Sequence, residues 1–557
     1  MIARPALVSI ASALIATRAS AQRPTTMAHR STVYAPHGMI ATSQPLATAA
    51  GLEVLQRGGN AFDAAITAAA VLNVVEPMMT GIGGDMFALI WVAKEHRLVA
   101  LNASGRAGAL MTREALLAKG HQTMPEETVE DVTVPGALSG WSELVERYGT
   151  ITLAQALGPA IQYADDGFPV TPIIARDWAN EAARLRQDSG ARVTFLIDGT
   201  RPPRAGEWFR NPDLARTFRQ IATQGPGALY GGDLGQRIVT RVRQLGGYLT
   251  IDDLQRHQNE WVEPISVPFH GYRVWELPPN NQGLAVLEML RMLESYDLRA
   301  LGHNSAAYLH LLIEAKKLAF ADLRYVGEPS AMTVQPAALL TDAYVAARRA
   351  LIDSAHAADR PQPGRPLTAS ETIYLTVADS AGNMVSFINS LFDLFGSGVV
   401  VPGTGFALQD RGAGFTLEPG LPNTVAPGKR PFHTLIPGFV TRADSAGTEQ
   451  PWMSFGVMGG SMQPQGHLQV LLNLLVFGMD VQDAIDAPRF RHLTGLRVAL
   501  EPAIGEDVRR RLTVLGHTIV PDSSVSYGGA QAIQRLPGGR GYAAGSDPRK
   551  DGMAAGH

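Results

Sequence analysis

The sequence predicts an α+β protein in which antiparallel sheets lie under helices. One pattern behind this is a hairpin signature, "ETIYLTVADSAGNMVSF" (371–387). Apolar and polar residues alternate from Ile373 to Val377, an Asp/Ser/Gly/Asn turn interrupts them, and alternation resumes at Met384. A second is the pair of stretches "NNQGLAVLEMLRMLESYDL" and "NSAAYLHLLIEAKKLAFADLRYV". Their apolar residues recur three and four apart and predict helices that each bury one face. Strands and helices do not alternate strictly along the chain, which argues against a Rossmann or barrel order.

In chain order, the N-terminus comes first. Arg4, the apolar run Ala6–Ala16 and the small-residue site Ala19-Ser20-Ala21 have the layout of a secretory signal over residues 1–21, implying a periplasmic or secreted protein. Initiation at Met27 would instead leave the protein in the cytoplasm. "GLEVLQRGGNAFDAAITAAAVLNVVEP" reads as two helices separated by Gly58-Gly59, the second capped near Asn60 and ending before Pro77. Next, "TGIGGDMFALIWVAKEHRLVALNASGR" reads as a glycine-rich turn, a strand over Phe87–Val92 and a partner over Leu98–Asn102. A dinucleotide loop would place its glycines between a strand and a helix; these precede a strand, so tight backbone packing is the expected role. Residues 110 to 365 look largely helical, and 354 to 370 read as an exposed, proline-rich loop. Beyond the hairpin come a strand in "PWMSFGVMGG" and a helix in "GHLQVLLNLLVFGMDVQDAI".

Composition narrows the function. The 557 residues are 45% hydrophobic and 18% charged, with 48 basic against 51 acidic side chains, so no global field favours a nucleic acid or a membrane surface. No run after the signal approaches the ~20 apolar residues of a membrane span. Without cysteine there are no disulfides, thiol nucleophiles or thiolate metal sites. The 14 histidines form no ligand motif, so neither a metal nor a cofactor is expected. A small-molecule or peptide substrate remains. Neither "FGSGV" nor "GGSMQPQG" has the spacing of a serine nucleophile elbow.

Thr372 stands where the exposed loop meets the hairpin. It reads either as a β-branched strand starter or as a nucleophile. A threonine hydroxyl needs a neighbouring base, and cutting the Glu371-Thr372 bond would supply one, an α-amino group with a pKa of roughly 7.7 to 8.0. A bond to be severed belongs in a flexible loop, and a nucleophile to be held still belongs on a core strand.

Several motifs, in order, decide between these readings: "PLATAAGLEVLQRGGNAFDAAITAAAVLNVVEP", "TGIGGDMFAL", "VPGALSGW", "YLTVADSAGNMVS", "NTVAPGKRPFHTLIPGF", "GVMGGSMQPQGHLQVL", "DAPRF" and "GSDPRKDG". From about residue 34 onward the chain resembles the gamma-glutamyltransferase (glutathione hydrolase) family of N-terminal nucleophile hydrolases, which also contains cephalosporin acylases. The resemblance implies a four-layer αββα sandwich. It also implies self-cleavage into a large segment, 22–371, and a small catalytic segment, 372–557, that stay associated. It places the nucleophile on Thr372, the oxyanion-stabilising pair on Gly459 and Gly460, and a supporting hydroxyl on Ser390. Thr434 and His433 fall at two donor-contacting positions.

The donor pocket departs from the family pattern. Ser104 stands where the family has a carboxylate-binding arginine, Gly414 where it has the acid that binds the donor amino group, and Phe392 where it has an asparagine; Ile373 replaces a second threonine. Arg106, Arg411 or His433 could rebuild an anion site. The function implied is cleavage of γ-glutamyl amides such as glutathione, with transfer of the acyl group to water or an amine. The altered pocket allows an acylase acting on glutaryl or other amides, and a non-catalytic binding protein is the third possibility.

Overall fold

In the computed structural model, residues 30–359, 361, 371–521 and 526–557 are described, with only the backbone of Glu371. The expected signal segment and most of the 360–370 stretch lie outside them. Two seven-stranded antiparallel sheets stack face to face. One runs in the order Val33–Ala35, Tyr542–Ser546, Gly529–Arg535, Glu449–Met458, Gly438–Ala443, Tyr272–Glu276, Ile265–Phe269. The other runs Met553–Gly556, Met39–Thr42, Glu371–Ala378, Met384–Phe392, Asp85–Val92, Arg97–Ala103, Glu260–Val262. The predicted hairpin is thus the centre of the second sheet.

Alternation explains the layers. Phe87, Leu89, Tyr374, Ile388, Phe439 and Ile533 meet between the sheets. The opposite faces of the same strands, Ile90, Leu375 and Phe387 in one sheet, Val274, Phe455 and Ala532 in the other, pack under helices. This is the four-layer αββα sandwich the resemblance implied.

The two N-terminal helices are Pro45–Gln56 and Ala61–Val75. Asn60 caps the second: its side chain accepts from Phe62 and Asp63 N–H while the Asp63 carboxylate accepts from Asn60 N–H. Asp379, in the hairpin turn, accepts from Ala61 N–H at 2.9 Å and from Ala381 and Asn383 N–H at 3.0 Å, and Gly382 takes the positive φ the turn requires. A carboxylate at a helix N-terminus is favourable in itself. It ties one end of the hairpin to the helical layer and so helps hold the far end, where Thr372 stands.

One expectation gains a detail and one needs correction. The 110–365 region is largely helical, as expected, but Glu260–Val262, Ile265–Phe269 and Tyr272–Glu276 are strands that form one edge of each sheet. They run only three to five residues, too short for alternation to register against the helices around them. The Ala306–Asp322 helix buries more than one face: every residue except Ala307 is buried. Its polar members find partners inside, as Glu314 does with Lys317 at 2.8 Å and Lys316 with His492 at 2.9 Å.

The glycine-rich turn packs as expected. A Cβ on Gly83 would lie 2.0 Å from the Ala407 carbonyl oxygen, and one on Gly84 would lie 2.2 Å from that of Ser390.

Candidate active site

Thr372 is fully buried at the start of its strand. The ladder to the neighbouring strand runs Ile373 to Asn389 but Glu371 to Phe392, so Ser390 and Leu391 together oppose Thr372. This β-bulge re-aims the strand end. Thr372 Oγ1 donates to Ser390 Oγ at 3.3 Å, and Ser390 Oγ also accepts from Phe392 N–H at 2.8 Å. Phe392 has φ +92°, a strained value for an aromatic residue, held by that bond and by the bulge.

Across the sandwich, Thr376 meets Ser454 at 2.5 Å, and Gly456 lies under the Tyr374 ring, where a Cβ would come within 2.4 Å. The strand carrying Ser454 and Gly456 ends at Met458, and the Gly459-Gly460 turn follows it. Gly459 has φ +120° and Gly460 φ +57°. Gln282 Nε2 donates to the carbonyls of Gly460 at 2.8 Å and Thr434 at 2.7 Å, joining this turn to the segment carrying His433.

On the other side of Ser390 stands Asp85, its partner in the ladder. Asp85 Oδ1 accepts from Gly105 and Gly136 N–H and from Gln409 Nε2, while Oδ2 meets His433 Nε2 at 3.1 Å. Burial pushes the Asp85 carboxyl up to about 6 and holds the His433 imidazole well below its usual range, the charge of Arg411 adding to the latter. Asp85 stands inside the quoted "TGIGGDMFAL", where the glycines before it carry the visible signal and the carboxylate does not.

Arg411 is fully buried, stacks on the Phe392 ring with 4.6 Å from guanidinium carbon to centroid, and donates from one terminal nitrogen to Thr434 Oγ1 at 2.9 Å. Among the described residues, its Nε and other terminal nitrogen are buried without a partner. Burial lowers its pKa to about 10, so it stays charged at neutral pH. The carboxylates of Asp85 and Asp410 offset that charge from a distance. Asp393, half-buried beside Asp410, has its carboxyl raised by burial and by that neighbouring charge.

Arg106 is placed differently. Its guanidinium pairs with Glu260 at 2.7 Å and Glu328 at 3.1 Å and donates to the Gly428 carbonyl. Arg430, also on Glu260, donates to the carbonyl of Ser104, whose hydroxyl bonds Asn102. At the other departure, a Cβ on Gly414 would lie 2.3 Å from the Phe432 carbonyl oxygen, so no acidic side chain fits there.

Comparisons with known proteins bear on this arrangement. The profile described as gamma-glutamyltranspeptidase matches residues 47–557. The chain belongs to that family. The glutathione hydrolase-like YwrD proenzyme of Bacillus subtilis (strain 168) is 37% identical over 528 residues, 93% of this chain and 98% of the relative. An acylase ACY 1 proenzyme of Pseudomonas sp. (strain V22) is 37% identical over 513 residues, 90% of each chain. The crystal structure of a cephalosporin acylase from Bacillus halodurans superposes with TM-score 0.89 and 46% identity, covering 96% of this chain and 98% of that one. This protein is therefore an enzyme-family member with the N-terminal nucleophile hydrolase fold. Among the described residues no helix is long and apolar enough to cross a membrane.

Proposed function

We propose that the protein is a self-processing N-terminal threonine amidohydrolase whose acyl group carries a carboxylate read by Arg411, with glutaryl-type amides preferred over γ-glutamyl ones. The observation that carries this is the buried guanidinium with two unpartnered nitrogens beside Thr434. A charged donor left without a partner in a dry site is costly, and a substrate carboxylate would satisfy both N–H groups in the paired geometry arginine favours. The two positions that serve a donor ammonium in the family pattern no longer do so. Position 414 has no room for an acid, and position 392 presents the Phe392 ring.

Chemistry would run in two stages. In the uncut chain, Thr372 Oγ attacks the Glu371 carbonyl carbon, the C–N bond breaks, and the hydroxyl proton ends on the freed amine. Water then hydrolyses the ester, leaving a Glu371 carboxylate and a Thr372 amino terminus. In the mature enzyme that amine takes the Oγ proton as Oγ attacks the substrate amide, and returns it to the departing amine; water releases the acyl group as an acid. The N–H groups of the Gly459-Gly460 turn would bind the oxyanion. Processing would leave two interleaved chains. The Glu371–Ala378 strand lies beside Met39–Thr42, and Tyr272–Glu276 beside Gly438–Ala443, so association needs no new contact.

The test pairs intact mass with turnover. Wild type should yield two fragments meeting at Glu371/Thr372, and Thr372→Ala a single chain. Glutaryl-4-nitroanilide should be cleaved in preference to the γ-glutamyl analogue. Arg411→Gln should lower kcat/KM for the glutaryl amide by roughly 10- to 100-fold, the worth of a charge-assisted hydrogen bond. Faster turnover of the γ-glutamyl amide would favour the second reading, a γ-glutamyl hydrolase as the YwrD name has it. Uncut wild type would remove the mechanism.

A further inference from the structure

A cavity of about 510 Å³ opens beside the candidate site and shares Gln282, Ala413, Phe432 and Ser461 with its surroundings. Gln282 holds the Gly460 carbonyl, and Ala413 lies two residues from Arg411, so the cavity adjoins both the Gly459-Gly460 turn and the Arg411 segment. Two small apolar clusters supply its walls: Met124, Phe415 and Leu417 from one, Phe432 and Val326 from the other, with Phe320 at the end of the buried helix. These side chains are buried, yet the space they enclose is the size that takes drug-sized groups, ~300–1,000 Å³.

The charges around it are unequal. Arg324 is neutralised by Glu418 at 2.6 Å, and Glu126 has a partner of its own. Arg113 donates only from Nε, to the Leu417 carbonyl at 2.8 Å, which leaves its two terminal nitrogens without a partner among the described residues. Helical Leu117 lines the same wall four residues on and is 38% exposed.

We infer that this cavity receives the amine half of the substrate, and that this half is an amine with an apolar ring or branched body and a carboxylate met by Arg113. The inference rests on the acyl-amide reading above for the direction in which the amide lies. It adds the leaving group: Arg411 reads the acid end of the acyl chain, and Arg113 reads an acid on the far side of the scissile bond. Cysteinylglycine, the amine half of glutathione, offers little apolar surface for such walls.

Three amides sharing one acyl group test this on the processed enzyme: N-glutaryl-L-phenylalanine, N-glutaryl-phenethylamine, which lacks the carboxylate, and N-glutarylglycine, which lacks the ring. The first should exceed each of the others in kcat/KM by roughly tenfold or more. Arg113→Gln should collapse the phenylalanine-to-phenethylamine ratio towards one, and Arg113→Lys should retain part of it. An independent readout uses 3-phenylpropionate, a ring with a carboxylate and no amide. By calorimetry it should bind the wild type, weaken roughly tenfold in Arg113→Gln and persist in Arg411→Gln.

The outcomes separate the two readings. Glutaryl amides cleaved at rates indifferent to ring and carboxylate would overturn this inference and leave the acyl reading intact. Glutaryl amides left uncut while 3-phenylpropionate binds through Arg113 would do the reverse. Probe binding lost in Arg411→Gln and kept in Arg113→Gln would put the probe in the acyl pocket and overturn the inference, as would no binding at all.

Discussion

Thr372 and Ser390 sit on two strands in the middle of a seven-stranded sheet, whereas Arg411, His433 and Arg106 sit on irregular segments that converge on that sheet's end. The strand-built half has its geometry set by ladder register, and a one-residue slip would turn Thr372 away from Ser390. Apart from a short backbone bridge between His433 and Asn281, the loop-built half is held by individual side-chain bonds: Arg411 to Thr434, His433 to Asp85, Arg106 to Glu260 and Glu328. Such bonds can be exchanged one at a time without disturbing a ladder. A family built this way can keep its cleavage chemistry and vary its substrate, which matches a set of relatives named both as glutathione hydrolase-like and as acylase.

The strongest way to break the comparison is to strike the strand half through its packing. Gly84→Ala would set a Cβ 2.2 Å from the Ser390 carbonyl oxygen, with backbone on both sides and no side chain able to yield. Destabilisation of about 3 kcal/mol or more is expected, together with slower self-cleavage. Thermal unfolding and the mass time course measure the two effects. A stable, normally processed Gly84→Ala variant would show that the ladder tolerates displacement and that register is not what holds Thr372.

Where the halves join, Asp85 sharpens the comparison through pH. Burial raises its carboxyl from 3.8 to about 6. A raised acid holds its proton more tightly in the fold than in the unfolded chain, so its favourable contribution is complete below the lower value and disappears as pH rises through the upper. Between about pH 4 and pH 7 the wild type should lose about 2.4 kcal/mol relative to Asp85→Asn, other buried acids cancelling between the two proteins. Urea unfolding of both at each pH measures it, and parallel profiles would mean that Asp85 stays paired and charged throughout.

The same division decides what could be read from the sequence. The hairpin was legible because its alternation covers both strands of a buried pair; the junction of loop and strand drew attention to Thr372, but only the family resemblance made it a candidate nucleophile. Asp85 was not legible, since a carboxylate at a strand start has no pattern of its own. The unpaired state of Arg411 depends on Phe392, Thr434 and the missing acid at 414, which come from three segments. Arg106 looked available until the fold brought Glu260 and Glu328 to it from 154 and 222 residues away. The cavity behind Phe415 and Phe432 was invisible for the same reason, because concavity belongs to the assembled walls.

The smallest expected effect isolates a single bond. Ser390→Ala removes the acceptor for the Thr372 hydroxyl at 3.3 Å and for Phe392 N–H at 2.8 Å, leaving the ladder itself in place. Thr372 then loses the partner that selects its rotamer, and Phe392 loses one of the contacts that hold its positive φ. Fragment formation should slow by roughly tenfold, the equivalent of one ordinary hydrogen bond. Ser390→Thr, which keeps the hydroxyl, should recover most of the rate. The ratio of glutaryl to γ-glutamyl turnover should stay with Arg411 and not follow Ser390, because the two halves are held by separate bonds. If Ser390→Ala shifts that ratio as well, strain at Phe392 is transmitted to the guanidinium stacked on it, and the two halves act as one unit.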